Sequence, residues 1–145
     1  MRTLEGKTAI VAGGGTGIGR AIALAFAREG ARVAVFGRRA EPLREAVEAI
    51  TATGGAARAV AGDAGVEGDV ARLVDDACGR WGGVDVLVNS AAVRLNAPLG
   101  EISAADFAEV LRINLVGAFV LTRTVIVPMR ARGGGSIIHI GSALG

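Results

Sequence analysis

The sequence predicts an α/β fold in which helices cover both faces of a parallel β-sheet. Five short apolar segments alternate with helical segments, an order that right-handed crossovers turn into a doubly wound sheet. A glycine-rich turn joins the first strand to the first helix. Of the 145 residues, 51% are hydrophobic and 21% are charged, which favours a globular chain with its own core.

The first two strand–helix units are the most regular part of the chain. Residues 8–12 form an uninterrupted apolar run that ends in glycine, which is typical of a strand buried on both faces. Apolar residues at helical spacing predict a helix over 17–29, and Gly30 follows at the position of a C-cap. The pattern then predicts a second strand over 32–36 and a second helix over 41–53.

The middle of the chain repeats this pattern with weaker signals. Residues 57–61 predict a third strand, 66–81 a third helix, and 84–88 a fourth strand. Helical crossovers connect parallel strands, so every neighbouring pair is expected to be parallel. The strand order expected for this topology is 3-2-1-4-5.

A long helix is predicted from Ser103 towards Arg132. Ser103 is a typical N-cap residue, and Asp106 takes the third position of a capping box. Pro128 lies inside the pattern and is expected to bend or end the helix near it. After a run of glycines, residues 136–140 predict a fifth strand. As an apolar sheet edge this strand favours self-association.

Composition narrows the classes of function. The net charge is only +2 and no basic run extends beyond Arg38-Arg39, so nucleic-acid binding lacks support. No charge-free apolar stretch reaches the length of a membrane span. A single cysteine, Cys78, and no visible signal peptide indicate a cytoplasmic location. One histidine, His139, excludes a zinc site in practice and is expected to be a packed, hydrogen-bonded core residue, while Asp85 is expected to be structural.

The turn after the first strand carries glycines in the pattern G-x-x-x-G-x-G. Gly13 permits a sharp turn, Gly17 lets backbone approach a pyrophosphate, and Gly19 lets the helix pack tightly on the sheet. The helix N-terminus offers free N–H groups to an anion. A plain tight turn would not need three glycines at this spacing, so the pattern predicts a dinucleotide site. The predicted loop residues are Gly13, Gly15, Thr16, Gly17, Ile18 and Gly19.

The end of the second strand is expected to lie beside the adenosine ribose. An acid there favours NAD, whereas an arginine favours the 2′-phosphate of NADP. This sequence has Arg38 and Arg39 and no acid before Glu41. Guanidinium groups suit phosphate, so NADP is the preferred cofactor and NAD the alternative. The competing interpretation is a solvated basic turn at the start of the next helix.

Along its whole length, the sequence resembles the single-domain short-chain dehydrogenase/reductases, which have a Rossmann-type fold. Singly each matching motif is weak, but their order along the chain makes the resemblance specific. The five features are Gly13-x-x-x-Gly17-Ile18-Gly19, Gly62-Asp63-Ala64, Asn89-Ser90-Ala91-Ala92, Asn114, and the segment 135–142 that ends in Ser142.

The resemblance implies roles for several of these residues. Asp63, next to Ala64, is expected to bind the adenine amino group. Asn89 and Ala91 belong to the motif that stabilises the sheet and lines the cofactor cleft. The implied reaction is hydride transfer between NADP(H) and a small-molecule carbonyl or alcohol. Candidate substrates are a 3-oxoacyl thioester, a sugar and a small ketone, and the loop is also similar to that of enoyl- and dienoyl-thioester reductases.

The implied catalytic residues within the sequence are Ser142 and Asn114. Ser142 would hydrogen-bond the substrate oxygen, and Asn114 would anchor a water that relays the proton. The family's Tyr-x-x-x-Lys pair lies beyond the serine, but the sequence has no tyrosine and a single lysine, Lys7. We therefore expect one nucleotide-binding domain over 1–145 that is inactive by itself.

Two alternatives to an active oxidoreductase remain open at this point. The first is a binding domain that holds the dinucleotide without turnover. The second is a self-associating product that lacks the family's later strands and substrate loop. The resemblance also implies a homo-oligomer whose interface includes the long helix, residues 104–131.

Overall fold

Five parallel strands form the centre of the computed structural model, which describes residues 2–142. The strands are β1 (Thr8–Ala12), β2 (Arg32–Gly37), β3 (Ala56–Ala61), β4 (Val86–Asn89) and β5 (Ser136–His139). They are arranged in the order β3-β2-β1-β4-β5, and each neighbouring pair is parallel. The predicted topology is confirmed.

Helices connect the strands and cover both faces of the sheet. They are α1 (Gly17–Arg28), α2 (Ala40–Thr51), α3 (Glu67–Trp81), α4 (Ala104–Leu111) and α5 (Gly117–Ala131). The predicted boundaries differ from these by one or two residues at most ends. The glycines that follow α1 and α3 adopt left-handed conformations, with φ values of 90° at Gly30 and 82° at Gly82. Such residues end helices because a side chain would be strained there.

The core consists of two apolar clusters on opposite faces of the sheet. Successive strand residues point to opposite faces, so Ile10 faces one cluster and Val11 the other. One cluster packs against α3 and α5, and the other against α1 and α2. This arrangement of three layers leaves the carboxyl ends of the strands open at one edge of the sheet.

The long predicted helix is interrupted by a π-helical turn. The residues Arg112–Val116, here called the π segment, lie between α4 and α5. The predicted cap is confirmed, since the Ser103 hydroxyl accepts a hydrogen bond of 3.0 Å from the Asp106 N–H. The helix is not ended at Pro128 but continues to Ala131. Apolar periodicity did not predict the π segment, because such a segment is a rare single turn inside an otherwise α-helical stretch.

Asp85 is a buried carboxylate that connects β1, β4 and the end of α5. It accepts hydrogen bonds of 2.8 Å from the Thr8 N–H and 3.1 Å from Arg132 Nε, and Lys7 Nζ lies 3.8 Å away. Burial acts to raise the pKa of Asp85, but these donors and positive charges hold it below its ordinary value. The carboxylate is fully engaged in holding elements together, as the structural role predicted for it requires.

The prediction that His139 is a core residue is wrong, although its hydrogen bonding is confirmed. Its side chain is exposed, because β5 is the edge strand of the sheet. His139 Nδ1 lies 3.4 Å from the Asn89 amide nitrogen, and Nε2 lies 3.1 Å from the Thr122 hydroxyl. An edge strand has no neighbour on one side, so an apolar sequence context alone does not bury a residue there.

The helical stretch Ala104–Ala131 is, by length and composition, apolar enough to cross a membrane. It has 28 residues, and its most apolar window has a mean hydropathy of 1.8 and is 28% buried. A single helix of this kind is weak evidence for a span, since core helices share these properties. Here Val120, Leu121, Val125 and Met129 pack against the sheet.

Candidate cofactor-binding site

A cleft of about 650 Å³ opens at the carboxyl ends of β1 to β4. The order of the sheet reverses between β1 and β4, and in open α/β sheets ligands bind at such a reversal. Every predicted cofactor-binding residue except Gly19 and Asn89 lines this cleft. The predicted residues that line it are Gly13, Gly15, Thr16, Gly17, Ile18, Arg38, Arg39, Asp63, Ala64 and Ala91.

The glycine loop forms the floor of the cleft, and its backbone approaches the loop after β4 closely. Gly13 has a φ of 76°, and a Cβ there would lie 2.7 Å from the carbonyl carbon of Ser90. Its N–H donates a 2.8 Å hydrogen bond to the Phe36 carbonyl at the end of β2. Gly17 has a φ of 52° and open space around it. Both conformations are ones that glycine adopts without strain.

Gly19 permits a close contact between the first turn of α1 and the glycine loop. A Cβ at this position would collide with the carbonyl oxygen of Gly13 and lie 3.2 Å from the Gly14 nitrogen. Gly19 therefore lets the first turn of α1 pack against its own loop, directly after the end of β1. A sequence pattern shows that a residue must be small but not which atoms lie against it.

Arg38 and Arg39 border the cleft between the end of β2 and the start of α2. Both side chains are exposed, and neither forms an ion pair with any residue in the range 2–142. Guanidinium donors in this position remain available to an anionic ligand.

Asp63 follows β3, and its carboxylate is held by three hydrogen bonds. Oδ1 accepts bonds of 2.7 Å from the Gly65 N–H and 3.2 Å from Arg112, and Oδ2 accepts a 2.7 Å bond from Arg112. The bonds from Arg112 are the main reason why the pKa of Asp63 is lowered. A carboxylate has about four acceptor sites, so Oδ2 retains one for a further donor.

The two predicted asparagines hold the loop that follows β4. Asn89 is buried, and its Oδ1 accepts a 3.1 Å hydrogen bond from the Ala91 N–H. Asn114 lies in the π segment and holds Val93 at two points: its Nδ2 donates to the Val93 carbonyl at 2.8 Å, and its Oδ1 accepts from the Val93 N–H at 2.9 Å. Both side chains therefore hold the backbone of cleft-lining residues in this loop.

Ser142 and Asn114 do not line the cleft, unlike most of the predicted cofactor residues. Ser142 is exposed and follows β5 at the same edge of the sheet as the cleft. Sequence reasoning also missed apolar lining residues, because nothing distinguishes them from core positions in a sequence. The missed lining residues include Phe36, Pro42, Val93 and Ile113. Within residues 2–142, no group of three or more His, Cys, Asp and Glu side chains is placed to hold a metal ion.

Comparison with known proteins identifies the family. The family model described as short chain dehydrogenase matches residues 7–145. The chain belongs to this family. Sorbitol dehydrogenase of Cereibacter sphaeroides is 40% identical over 143 residues, and the match covers 98% of the chain and 55% of that enzyme. D-threitol dehydrogenase of Mycolicibacterium smegmatis is 38% identical over 139 residues, and the match covers 96% of the chain and 54% of that enzyme.

Solved structures of short-chain dehydrogenases agree with this assignment. A citronellol catabolism dehydrogenase of Pseudomonas aeruginosa is 38% identical, with a TM-score of 0.91 over 98% of this chain and 58% of that chain. A 7α-hydroxysteroid dehydrogenase complexed with NADH and 7-oxo glycochenodeoxycholic acid is 37% identical, with a TM-score of 0.91. The match covers 96% of this chain and 54% of that chain. The chain spans about half the length of the relatives that it matches.

Proposed function

We propose that the chain is the cofactor-binding part of an NADP(H)-dependent short-chain dehydrogenase. The observation that carries this proposal is the pair Arg38 and Arg39, which border the cleft without an ion-pair partner among residues 2–142. Members of the family use NAD(H) or NADP(H), and the absence of an acid at the end of β2 favours the phosphorylated form. NAD is the alternative.

The residues of the cleft fit a dinucleotide. Gly13 and Gly17 add no side chains to the floor beside the N-terminus of α1, where N–H groups suit a pyrophosphate. Arg38 and Arg39 lie where a 2′-phosphate would be bound, and Asp63 retains an acceptor for the adenine amino group. When bound, the nicotinamide supplies or accepts the hydride.

For the chemical step, we assign roles to two residues at the carboxyl edge. Ser142 is proposed to donate a hydrogen bond to the oxygen of the carbonyl or alcohol substrate. Asn114 is proposed to anchor a water in the proton relay. These 145 residues contain no tyrosine and only Lys7 as a lysine, so they supply no tyrosine–lysine pair. We therefore propose that they bind cofactor as one domain but do not complete hydride transfer by themselves.

The substrate of the whole protein is proposed at the level of a class. A carbonyl compound or its alcohol is the common feature of the relatives, whose names include sorbitol dehydrogenase, D-threitol dehydrogenase and ketoacyl reductase. The single, half-buried Cys78 is consistent with a cytoplasmic location, which we include in the proposal. The second candidate function is a dinucleotide-binding domain without turnover.

Titration of NADPH and NADH tests the cofactor proposal. We expect saturable binding that is tighter for NADPH, and we expect Arg38→Ala to weaken NADPH about tenfold or more because it removes charge-assisted hydrogen bonds to the phosphate. The same substitution should weaken the binding of NADH by less than about threefold. Calorimetry measures both dissociation constants. Arg130→Ala, an exposed arginine of α5, is the matched control. Equal affinity for the two cofactors would refute the NADP preference.

We further propose that the chain self-associates through the helix 104–131. Phe107, Leu115 and Phe119 are 56%, 63% and 59% exposed, which is unusual for large apolar side chains on one helix. Leu115→Glu is expected to shift the chain towards monomer in light scattering, because a charge at such an interface is costly to desolvate. Ala71→Glu, on the exposed side of α3, should leave the association unchanged. A monomeric wild-type chain would contradict this proposal.

A further inference from the structure

Arg112 is the first residue of the π segment and lies beside Asp63, at the end of the cleft where the adenosine is proposed to bind. Its guanidinium pairs with the carboxylate of Asp63 at 2.7 Å and with that of Glu109 at 2.7 and 2.8 Å. The Arg112 side chain is 35% exposed, Asp63 21% and Glu109 47%, so the three groups are partly screened from water. One arginine therefore engages two carboxylates that would otherwise carry unpaired negative charge beside the cleft.

The positive charge of Arg38 also acts on these two carboxylates. Hydrogen bonds from Arg112 lower the pKa of Asp63 and of Glu109 most, and the charge of Arg38 contributes to lowering both. Arg38 and Asp63 line the same cleft, and Arg112 joins Glu109 to Asp63. Yet Arg38 forms no ion pair with these acids or with any other residue in the range 2–142. The acids are bound by Arg112 instead.

Close packing fixes Arg112 in this position. A Cβ on Gly65 would collide with its guanidinium, and a Cβ on Gly117 would lie 3.1 Å from the Cβ of Ala64. The turn after β3 thus lies directly against the π segment and the start of α5. Because Arg112 begins the π segment, its side chain connects this helical stretch to Asp63, which lines the cleft.

We propose that Arg112 is a specificity-determining positioning residue: by binding Asp63 and Glu109, it keeps Arg38 free to hold the 2′-phosphate of the cofactor. This inference rests on the proposed NADP(H) site and adds the way in which its phosphate preference is maintained. Without Arg112, two acids would compete with the phosphate for Arg38, and the local charge near the phosphate would become one unit more negative. Both effects weaken a ligand that carries a 2′-phosphate and spare one that does not.

A pair of nucleotides that differ only in that phosphate tests the inference. Adenosine 2′,5′-bisphosphate and 5′-AMP are titrated calorimetrically into the wild-type chain and into Arg112→Gln. We expect the dissociation constant of the bisphosphate to rise about tenfold and that of 5′-AMP by no more than about twofold. The dissociation constant of the bisphosphate for Arg112→Lys should lie between those of the wild type and Arg112→Gln, since a lysine cannot engage both carboxylates with a planar fork.

A rescue experiment separates this role from a merely structural one. Adding Glu109→Gln to Arg112→Gln removes one competing acid and should restore part of the lost bisphosphate affinity; if Arg112→Gln does not fold, the same addition to Arg112→Lys replaces it. Equal weakening of both nucleotides, or no rescue by Glu109→Gln, would show a structural brace and overturn the inference. If the wild-type chain bound neither nucleotide nor NADPH, the proposed function itself would fall.

Discussion

Gly13→Ala is expected to abolish measurable NADP(H) binding and to lower the free energy of unfolding by about 3 kcal/mol. The residue has a φ of 76°, where a side chain is strained. Its Cβ would also lie 2.7 Å from the carbonyl carbon and oxygen of Ser90, which are backbone atoms at the end of β4. Neither can move without disturbing the central strands, so the loop must open and the floor of the cleft is lost.

Chemical denaturation and NADPH titration together measure this effect. Gly79→Ala is the matched control, because Gly79 lies within α3, has no positive φ, and has open space where the Cβ would stand. That substitution should stabilise the chain by about 0.5–1 kcal/mol, since alanine favours a helix over glycine. A Gly13→Ala chain with wild-type stability and affinity would show that the tight approach to Ser90 does not exist.

Asp85→Ala is expected to lower the free energy of unfolding at pH 7 by about 3 kcal/mol. The change leaves the Thr8 N–H without its 2.8 Å acceptor and removes the partner of Arg132 at the end of α5. A buried N–H without a partner is costly, and an arginine left without its carboxylate adds to that cost. The measurement is denaturation at fixed pH, with Asp75→Ala on the exposed side of α3 as the control, where a change within about 0.5 kcal/mol is expected.

The same pair of proteins should show a defined dependence on pH. Although burial raises it, the pKa of Asp85 in the folded chain lies below the ordinary value of 3.8, owing to the Thr8 N–H and Arg132. A carboxyl with a lowered folded pKa contributes stability that is complete above its unfolded pKa and is lost as the pH falls through the folded value. The cost of Asp85→Ala should therefore be smaller at pH 3 than at pH 7. A cost that stays constant over this range would mean that the carboxylate charge contributes nothing.

The topology could be predicted from the sequence because each strand and helix has its own local pattern. The apolar run of β1 and the glycine after α1 identify their elements without reference to the rest of the chain. The π segment could not be predicted in the same way, since Arg112 and Asn114 continue an ordinary helical pattern. His139 was misplaced because burial depends on which strand is at the edge of the sheet, and a local pattern does not contain that information.

In the candidate site, too, the features set by local sequence could be predicted, whereas the contacts between distant residues could not. Gly13 and Gly17 could be predicted because a backbone turn demands glycine at fixed spacing. Asp63 was expected to face a ligand, but its pairing with Arg112 joins residues that are 49 positions apart, and no spacing rule indicates such a pair. Likewise, the binding of the Val93 backbone by Asn114 follows from how the loop after β4 lies on the helix.

The contacts of His139 allow a donor and an acceptor to be assigned in each hydrogen bond from Asn89 to Ala118. The Ala91 N–H requires the oxygen of the Asn89 amide, so the NH₂ group of Asn89 donates to His139 Nδ1. With Nδ1 as the acceptor, Nε2 is the donor to the Thr122 hydroxyl, whose own hydrogen is donated to the Ala118 carbonyl at 2.8 Å. These hydrogen bonds form a one-way chain, and reversing any donor would require the Asn89 amide to release the cleft loop.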